Sequence, residues 1–181
     1  MTFIHCDTYR DQFGEIPRTM NEGIRLYNVG PKTFYPSVTS VISFISGKKF
    51  ADWRARVGNE EANRITKHAT SRGTDLHLVF EHYINNEDYE SLSEYQRPLI
   101  QLMFKAAKAH LDNRLDNIYQ QETPMFSDRI CLAGTVDLIC EVDGELAIVD
   151  FKTSAKEKPE EWLEDYFVQL SAYWAMFSEK T

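Results

Sequence analysis

Asp143-Gly144 sits between two runs of alternating apolar residues, Ala133 to Val142 and Glu145 to Lys152, and it leaves the chain little choice of local structure. Both residues tolerate the positive φ angles of a type I′ turn, whose twist matches that of paired strands, so the segment predicts a tight β-hairpin. Such a turn fixes the register. With Asp143 and Gly144 as the two loop residues, Val142 faces Glu145, and counting back places Asp137 opposite Asp150 and Thr135 opposite Lys152. Directly opposed residues hold their Cβ atoms roughly 4.5 to 5.5 Å apart, and like charges there repel.

One face of this hairpin carries Val136, Leu138, Cys140, Val142, Ala147, Val149 and Phe151, which reads as core. The other carries Ile139, Leu146 and Ile148 near the turn, with the two aspartates at its far end beside Lys152. Carboxylates held together at the edge of a buried face share a proton or bind a cation. Oxygen ligands suit magnesium or manganese, and such a site leaves positions for water and a phosphate. Lys152 then holds the attacking water or stabilises charge building on a phosphoryl group. The bland alternative is an ordinary charged sheet face in which Lys152 merely neutralises one Asp.

The remainder of the chain reads as helices before the hairpin and one after it. Residues 1 to 36 mix turn formers with short extended pieces such as Ile24 to Val29. Pro36-Ser37 starts a helix in which Val38, Val41, Ile42 and Ile45 recur at helical spacing until Gly47. Further helices are predicted over Phe50 to Val57 and Asn59 to Ala69. Ser71-Arg72-Gly73 then interrupts, and Thr74 caps another helix to about Ile84. A long amphipathic helix is predicted over Ser91 to Leu115. Beyond Asn117 the period becomes alternating, with strands at Ile118 to Phe126, Ala133 to Val142 and Glu145 to Lys152, and Pro159 opens a last helix to about Phe177. This order predicts an α/β layer fold around one core, with residues 1–36 as strands and loops, 37–116 helical, and 117–181 the catalytic sheet and final helix.

Composition narrows the setting. A chain of 181 residues, 43% hydrophobic and 27% charged, suits one globular domain. Cys6, Cys131 and Cys140 are odd in number and form no CxxC pair, so a disulfide framework is not expected and a cytoplasmic location is. No apolar run reaches membrane-spanning length. The charge of −8 argues against bulk attraction to a polyanion, yet Gly47 to Gly73 holds seven basic residues against three acidic, a local +4 that leaves −12 elsewhere. Lys48, Lys49, Arg54 and Arg72 in this stretch form a candidate phosphate track.

Gly134-Thr-Val-Asp137 followed by Asp150-Phe-Lys152-Thr153 resembles the signature of the PD-(D/E)XK nucleases. Arg72-Gly-Thr-Asp-Leu-His77 is similar to the Gly-x-x-x-His motif of their RecB-like branch, and Gln169-Leu-Ser-Ala-Tyr173 to its Gln-x-x-x-Tyr motif. Tyr35-Pro-Ser-Val-Thr39 resembles a segment of the phage and mitochondrial genome maintenance exonucleases. The resemblance covers about residues 35 to 175. It implies a restriction-endonuclease-like core, a central mixed sheet with an antiparallel hairpin flanked by helices. It also implies that His77, Asp137 and Asp150 ligate magnesium or manganese, that Lys152 assists the nucleophile, and that Gln169 and Tyr173 lie near the catalytic centre and the nucleic acid. Four residues apart, Gln169 and Tyr173 share one helical face, a spacing compatible with acting together. Glu81, one turn after His77, and Glu122 are expected around the site rather than in contact with metal. The cysteines are not arranged for an iron–sulfur cluster.

The function expected on this basis is a metal-dependent DNA exonuclease acting on single-stranded or frayed ends, in the host cytoplasm if phage-encoded. The alternatives are an endonuclease, an RNA-processing enzyme, and a non-catalytic DNA-binding module or nuclease subunit that keeps the fold.

Overall fold

A computed structural model of the protein describes residues 2–156 and 158–181. Near the N-terminus β1 (Arg18–Asn21), β2 (Ile24–Gly30) and β3 (Thr33–Pro36) form an antiparallel sheet in that order. Ser37 then caps α1 (Val38–Ile45), its hydroxyl accepting from the Ser40 N–H at 3.0 Å, which satisfies a backbone donor that the first helical turn leaves orphaned. Ser46 joins α1 to α2 (Gly47–Val57), and Gly58 at φ 87° turns the chain into α3 (Asn59–Ile84).

The sequence predicts a break at Ser71-Arg72-Gly73, but α3 runs on without interruption for 26 residues. One interior glycine costs about 1 kcal/mol relative to alanine. The buried stripe of Leu76, Val79, Phe80, Tyr83 and Ile84 outweighs that cost. Asp75, accepting from Ser71 Oγ at 3.3 Å and paired with Arg97, ties the same stretch to the segment before α4 (Pro98–Arg114). That helix begins at Pro98, not at Ser91, because the residue before a proline is pushed out of the helical region, and Arg97 is extended at ψ 124°.

The central sheet orders β4 (Leu115–Ser127), β5 (Leu132–Val142) and β6 (Glu145–Val149) side by side, antiparallel throughout. Asp143 and Gly144 take φ 55° and 82°, as a type I′ turn requires, and the ladder runs from Val142 opposite Glu145 to Leu138 opposite Val149. The expected mixed character is confined, among the described residues, to two single parallel bridges, His5 to Ile118 and Ser37 to Ala133. The second of these ties the end of the N-terminal sheet to β5.

Both faces of the central sheet are covered, so Leu138 and Ile139, which a strand points in opposite directions, are each fully buried. Leu138 and Cys140 pack with Val79, Phe80, Ile84, Ile100 and Phe104 of α3 and α4. Ile139 and Met125 pack with Val38 of α1 and with Tyr173, Met176 and Phe177 of α5 (Glu164–Lys180). A short 3-10 turn, Glu160–Trp162, stands before α5 where the sequence predicts helix from Pro159 onward.

Candidate active site

The strand β6 stops at Val149, three residues short of the predicted end at Lys152. The cause is local to the site. The Phe151 N–H donates to Asp137 Oδ2 at 2.6 Å, so a carboxylate takes the place of a ladder carbonyl. Asp137 therefore remains beside the Asp150 segment, one step beyond the last ladder pair, as the turn predicts.

On its other side β5 meets β4. Gln121 pairs with Leu138 and Thr123 with Val136, so the register sets Glu122 opposite Asp137. Within β4, Glu122 takes a φ of 46°, a left-handed backbone that a non-glycine residue adopts only when its surroundings enforce it. Three carboxylates, Glu122, Asp137 and Asp150, thus lie in a row across the sheet.

His77 completes the group from α3. Its Nε2 contacts the Phe151 carbonyl at 2.7 Å, and because a carbonyl can only accept, Nε2 carries the proton. Nδ1 is left with its lone pair, 3.5 Å from Asp137 Oδ2. A ring held through one nitrogen by a backbone carbonyl, with the other free, is the arrangement that metal-binding histidines adopt. Ligand atoms of His77, Glu122 and Asp137 all lie within 4.8 Å of one another. One imidazole nitrogen and two carboxylates suit a divalent cation of the magnesium or manganese kind.

The electrostatics agree with that fit. Burial raises the Asp137 carboxyl above the ordinary range and Asp150 adds to the shift; only a protonated His77 would oppose it. Glu122 is exposed as a residue, yet desolvation at the cleft, then repulsion from Asp137 and Glu81, push its carboxyl up to about 7, with Arg18 pulling the other way.

Asp150 lies outside this triad, and its oxygens are already engaged. Lys152 Nζ pairs with Oδ2, and Gln169 Nε2 donates to Oδ1 at 2.8 Å. Gln169 also donates to the Tyr173 hydroxyl at 3.1 Å. Both are buried, at 5% and 2% exposure, so neither presents a face on which a base stacks; they support Asp150 from within α5. Burial, above all, raises the Tyr173 phenol well beyond its usual range, so it stays neutral. Gly134 makes room for it. A Cβ at that position would come within 2.5 Å of Tyr173 Cε1.

A cleft of about 190 Å³ opens here, its floor made of Glu122, Gly134, Thr135, Asp137, Asp150, Lys152, Gln169 and Tyr173; His77 reaches Asp137 from outside this lining. The opposite wall of the cleft is made by residues that sequence reasoning missed. Arg18 and Arg25 share one face of the β1–β2 hairpin with Tyr27, whose hydroxyl lies 3.0 Å from Thr135 Oγ1. Ser37 and Thr39 border the cleft at the start of α1. Tyr35-Pro-Ser-Val-Thr39 is the one sequence signal that pointed to this wall.

Other expected residues lie elsewhere. None of Lys48, Lys49, Arg54, Arg72 and Glu81 lines the cleft among the described residues. Glu81 is one helical turn beyond His77 and is felt by Glu122. Arg54 is engaged by Asn59 and Asn63, at 3.2 and 2.8 Å. The Arg72 Nε is buried and makes no hydrogen bond among the described residues.

Comparison with known proteins agrees with the geometry. A family model described as the PD-(D/E)XK nuclease superfamily matches residues 51–181, a stretch that includes His77, Glu122, Asp137, Asp150, Lys152, Gln169 and Tyr173. The human protein named mitochondrial genome maintenance exonuclease 1 is 24% identical over 132 residues, which cover 68% of this chain and 38% of that relative. The chain thus matches well under half the length of that protein.

Proposed function

The chain belongs to the PD-(D/E)XK nuclease superfamily, and on that footing we propose that it is a magnesium- or manganese-dependent deoxyribonuclease acting as an exonuclease on single-stranded or frayed ends. The observation that carries the reading is the row of Glu122, Asp137 and Asp150 across the sheet, with His77 Nδ1 above it and Lys152 paired to Asp150. His77, Glu122 and Asp137 would hold the cation, with Asp150 beside them. Held by these residues, a divalent ion would supply Lewis acidity for the phosphoryl oxygens and lower the pKa of a bound water.

The chain's own groups do the rest. Lys152, anchored on Asp150, orients the attacking water and offsets negative charge that grows on the phosphoryl group. Gln169, fixed by Tyr173, holds the Asp150 carboxylate in one orientation, so that little reorganisation is needed when charge moves. Arg18 and Arg25 face these carboxylates from the opposite wall and draw a phosphodiester into a cleft that would otherwise repel it. Such local basic groups allow a chain of net charge −8 to handle DNA.

The exonuclease mode draws its support from the human relative, whose name says exonuclease, and from the Tyr35 to Thr39 segment. The test is to incubate pure protein with end-labelled linear and with circular single strands in magnesium or manganese. Loss of the linear strand with the circle intact is expected. Equal cutting of both rejects the exonuclease mode in favour of an endonuclease, and no cutting of either in both metals rejects the enzyme reading.

A further inference from the structure

A second concavity, of about 470 Å³, opens beside the cleft and is lined by Lys49, Phe50, Trp53, Arg56 and Trp162, with Ser46, Glu164 and Asp165 closing it. Its aromatic content is unusual for a surface. Trp162 is 65% exposed and Phe50 48%, although each is a large apolar ring that burial would stabilise. Phe50 and Trp53 lie with ring centroids 5.3 Å apart, tilted by 31°, and the Arg54 guanidinium sits 5.8 Å from the centre of the Phe50 ring. The helix that supplies two of these rings, α2, carries four basic residues against one acidic.

We propose that this groove is a stacking site for the bases of single-stranded DNA. Exposed flat rings next to a basic helix are the two components by which proteins hold single strands without reading their sequence, the rings taking bases and the cations the backbone. The volume falls in the range of small-molecule pockets and admits a base or two. Charge sets the orientation. Glu164 and Asp165 on the far wall repel phosphates, so the backbone follows Lys49 and Arg56 while the bases turn toward Phe50, Trp53 and Trp162.

The groove is also in reach of the cleft. Thr39 at the start of α1 borders the cleft and Ser46 at its end borders the groove, a separation of roughly 10 Å at 1.5 Å per residue. On α5, Asp165 and Gln169 do the same one turn apart. Ser46 Oγ donates to Asp165 Oδ2 at 2.8 Å, which fixes α1 and α5 together at the groove. At the rise of about 3.4 Å per nucleotide of a stacked strand, the two sites lie at most roughly three nucleotides apart. The groove thus holds the strand while the cleft acts on it, an inference that rests on the nuclease reading for its purpose but not for its test.

The test is the affinity of full-length protein for a labelled oligothymidylate in EDTA, where no metal-dependent cutting occurs. Trp162→Ala is expected to weaken binding roughly five- to 150-fold, Phe50→Ala to do likewise, and Trp162→Phe to retain most of the affinity. Trp174→Ala, an exposed tryptophan outside the groove, should bind as the wild type does. Because Trp162 is mostly exposed, its replacement leaves the fold intact, which circular dichroism checks. Wild-type protein that does not bind the strand, or Trp162→Ala and Phe50→Ala variants that bind it undiminished, would overturn the proposal even if cleavage is seen; a protein segment as the true occupant gives that second result. Trp162-dependent binding without any cleavage upholds the groove and removes the nuclease reading instead.

Discussion

Glu122 stands opposite Asp137 across the β4–β5 ladder, and a ligand oxygen from each lies within 4.8 Å of the other and of a His77 ring nitrogen. Nothing in the sheet requires two carboxylates there. Like charges at a cross-strand pair cost stability, and the left-handed φ of 46° at Glu122 adds strain of about 1 to 3 kcal/mol. A retained proton or a bound cation relieves such a pair, and the proposed function takes the cation.

The same pair predicts how metal-free protein responds to pH. Glu122, at about 7, binds its proton more tightly in the folded chain than its ordinary value of 4.5 allows, and Asp137 is shifted in the same direction. The contribution of Glu122 to stability is therefore complete below its unfolded value and is lost as pH rises through about 7, and Asp137 adds to the loss in the same direction. In EDTA the melting temperature should fall between pH 5 and pH 8. Glu122→Gln should flatten that fall, and magnesium should reverse it in the wild type alone. Parallel profiles for wild type and Glu122→Gln would dissociate Glu122 from the effect.

Lys152 pairs with Asp150 from a position 35% exposed to the cleft, so its replacement removes charge at the reacting centre without opening the core. Lys152→Ala should lower kcat by roughly 10²- to 10³-fold, the usual cost of losing one group that stabilises developing charge. Oligonucleotide affinity should be little changed. Cleavage that survives undiminished would show that the lysine serves only to neutralise Asp150.

Gly134 and Tyr173 are coupled by contact. A methyl group at 134 meets the Tyr173 ring at 2.5 Å, and that ring lies on the buried face of α5, packed with Val136, Ile139 and Met176. Gly134→Ala should cost about 1 to 3 kcal/mol as overpacking and loosen the Gln169 to Asp150 bond that Tyr173 braces. Thermal unfolding of Gly134→Ala, Tyr173→Leu and the double variant tests this. The double variant should be more stable than the sum of the two losses implies, and strict additivity would mean that the two positions do not share a contact.

How much of this was legible beforehand depended on whether the information was local. Asp143-Gly144 carries its own turn geometry, so the alignment of Asp137 with Asp150 followed from a count of residues. Pro36-Ser37 likewise marked the start of α1, and the spacing of Gln169 and Tyr173 put them on one face. Glu122 was expected only nearby, because its place depends on the β4–β5 register, and the connection Asp128-Arg-Ile-Cys131 contains no two-residue turn signal from which to count. Arg18, Arg25 and Tyr27 were not singled out at all. Their route to the cleft is the docking of one sheet on another through Tyr27 and Ser37, a long-range event with no periodicity to betray it. Gly73 misled for the converse reason, since local propensity broke a helix that tertiary burial holds together.

His77 offers the sharpest separation between a metal ligand and a packed side chain. Its Nε2–H is committed to the Phe151 carbonyl, which leaves Nδ1 directed at Asp137, and its ring also meets Phe151 edge to face at 6.1 Å. Loss of the ring therefore removes both a donor and some packing, and the two losses have different signatures. If Nδ1 ligates the ion, His77→Ala should raise the magnesium or manganese concentration for half-maximal activity at least roughly tenfold, the lower end of what even a supporting residue costs a metal site. Activity should then recover in part at saturating metal, because Glu122 and Asp137 remain. If the ring only packs, the melting temperature should fall while the metal dependence of the residual activity stays where it was. Titrating both metals against wild type and variant, with melting curves on the same samples, decides between the two, and an unmoved metal midpoint would remove His77 from the ligand set.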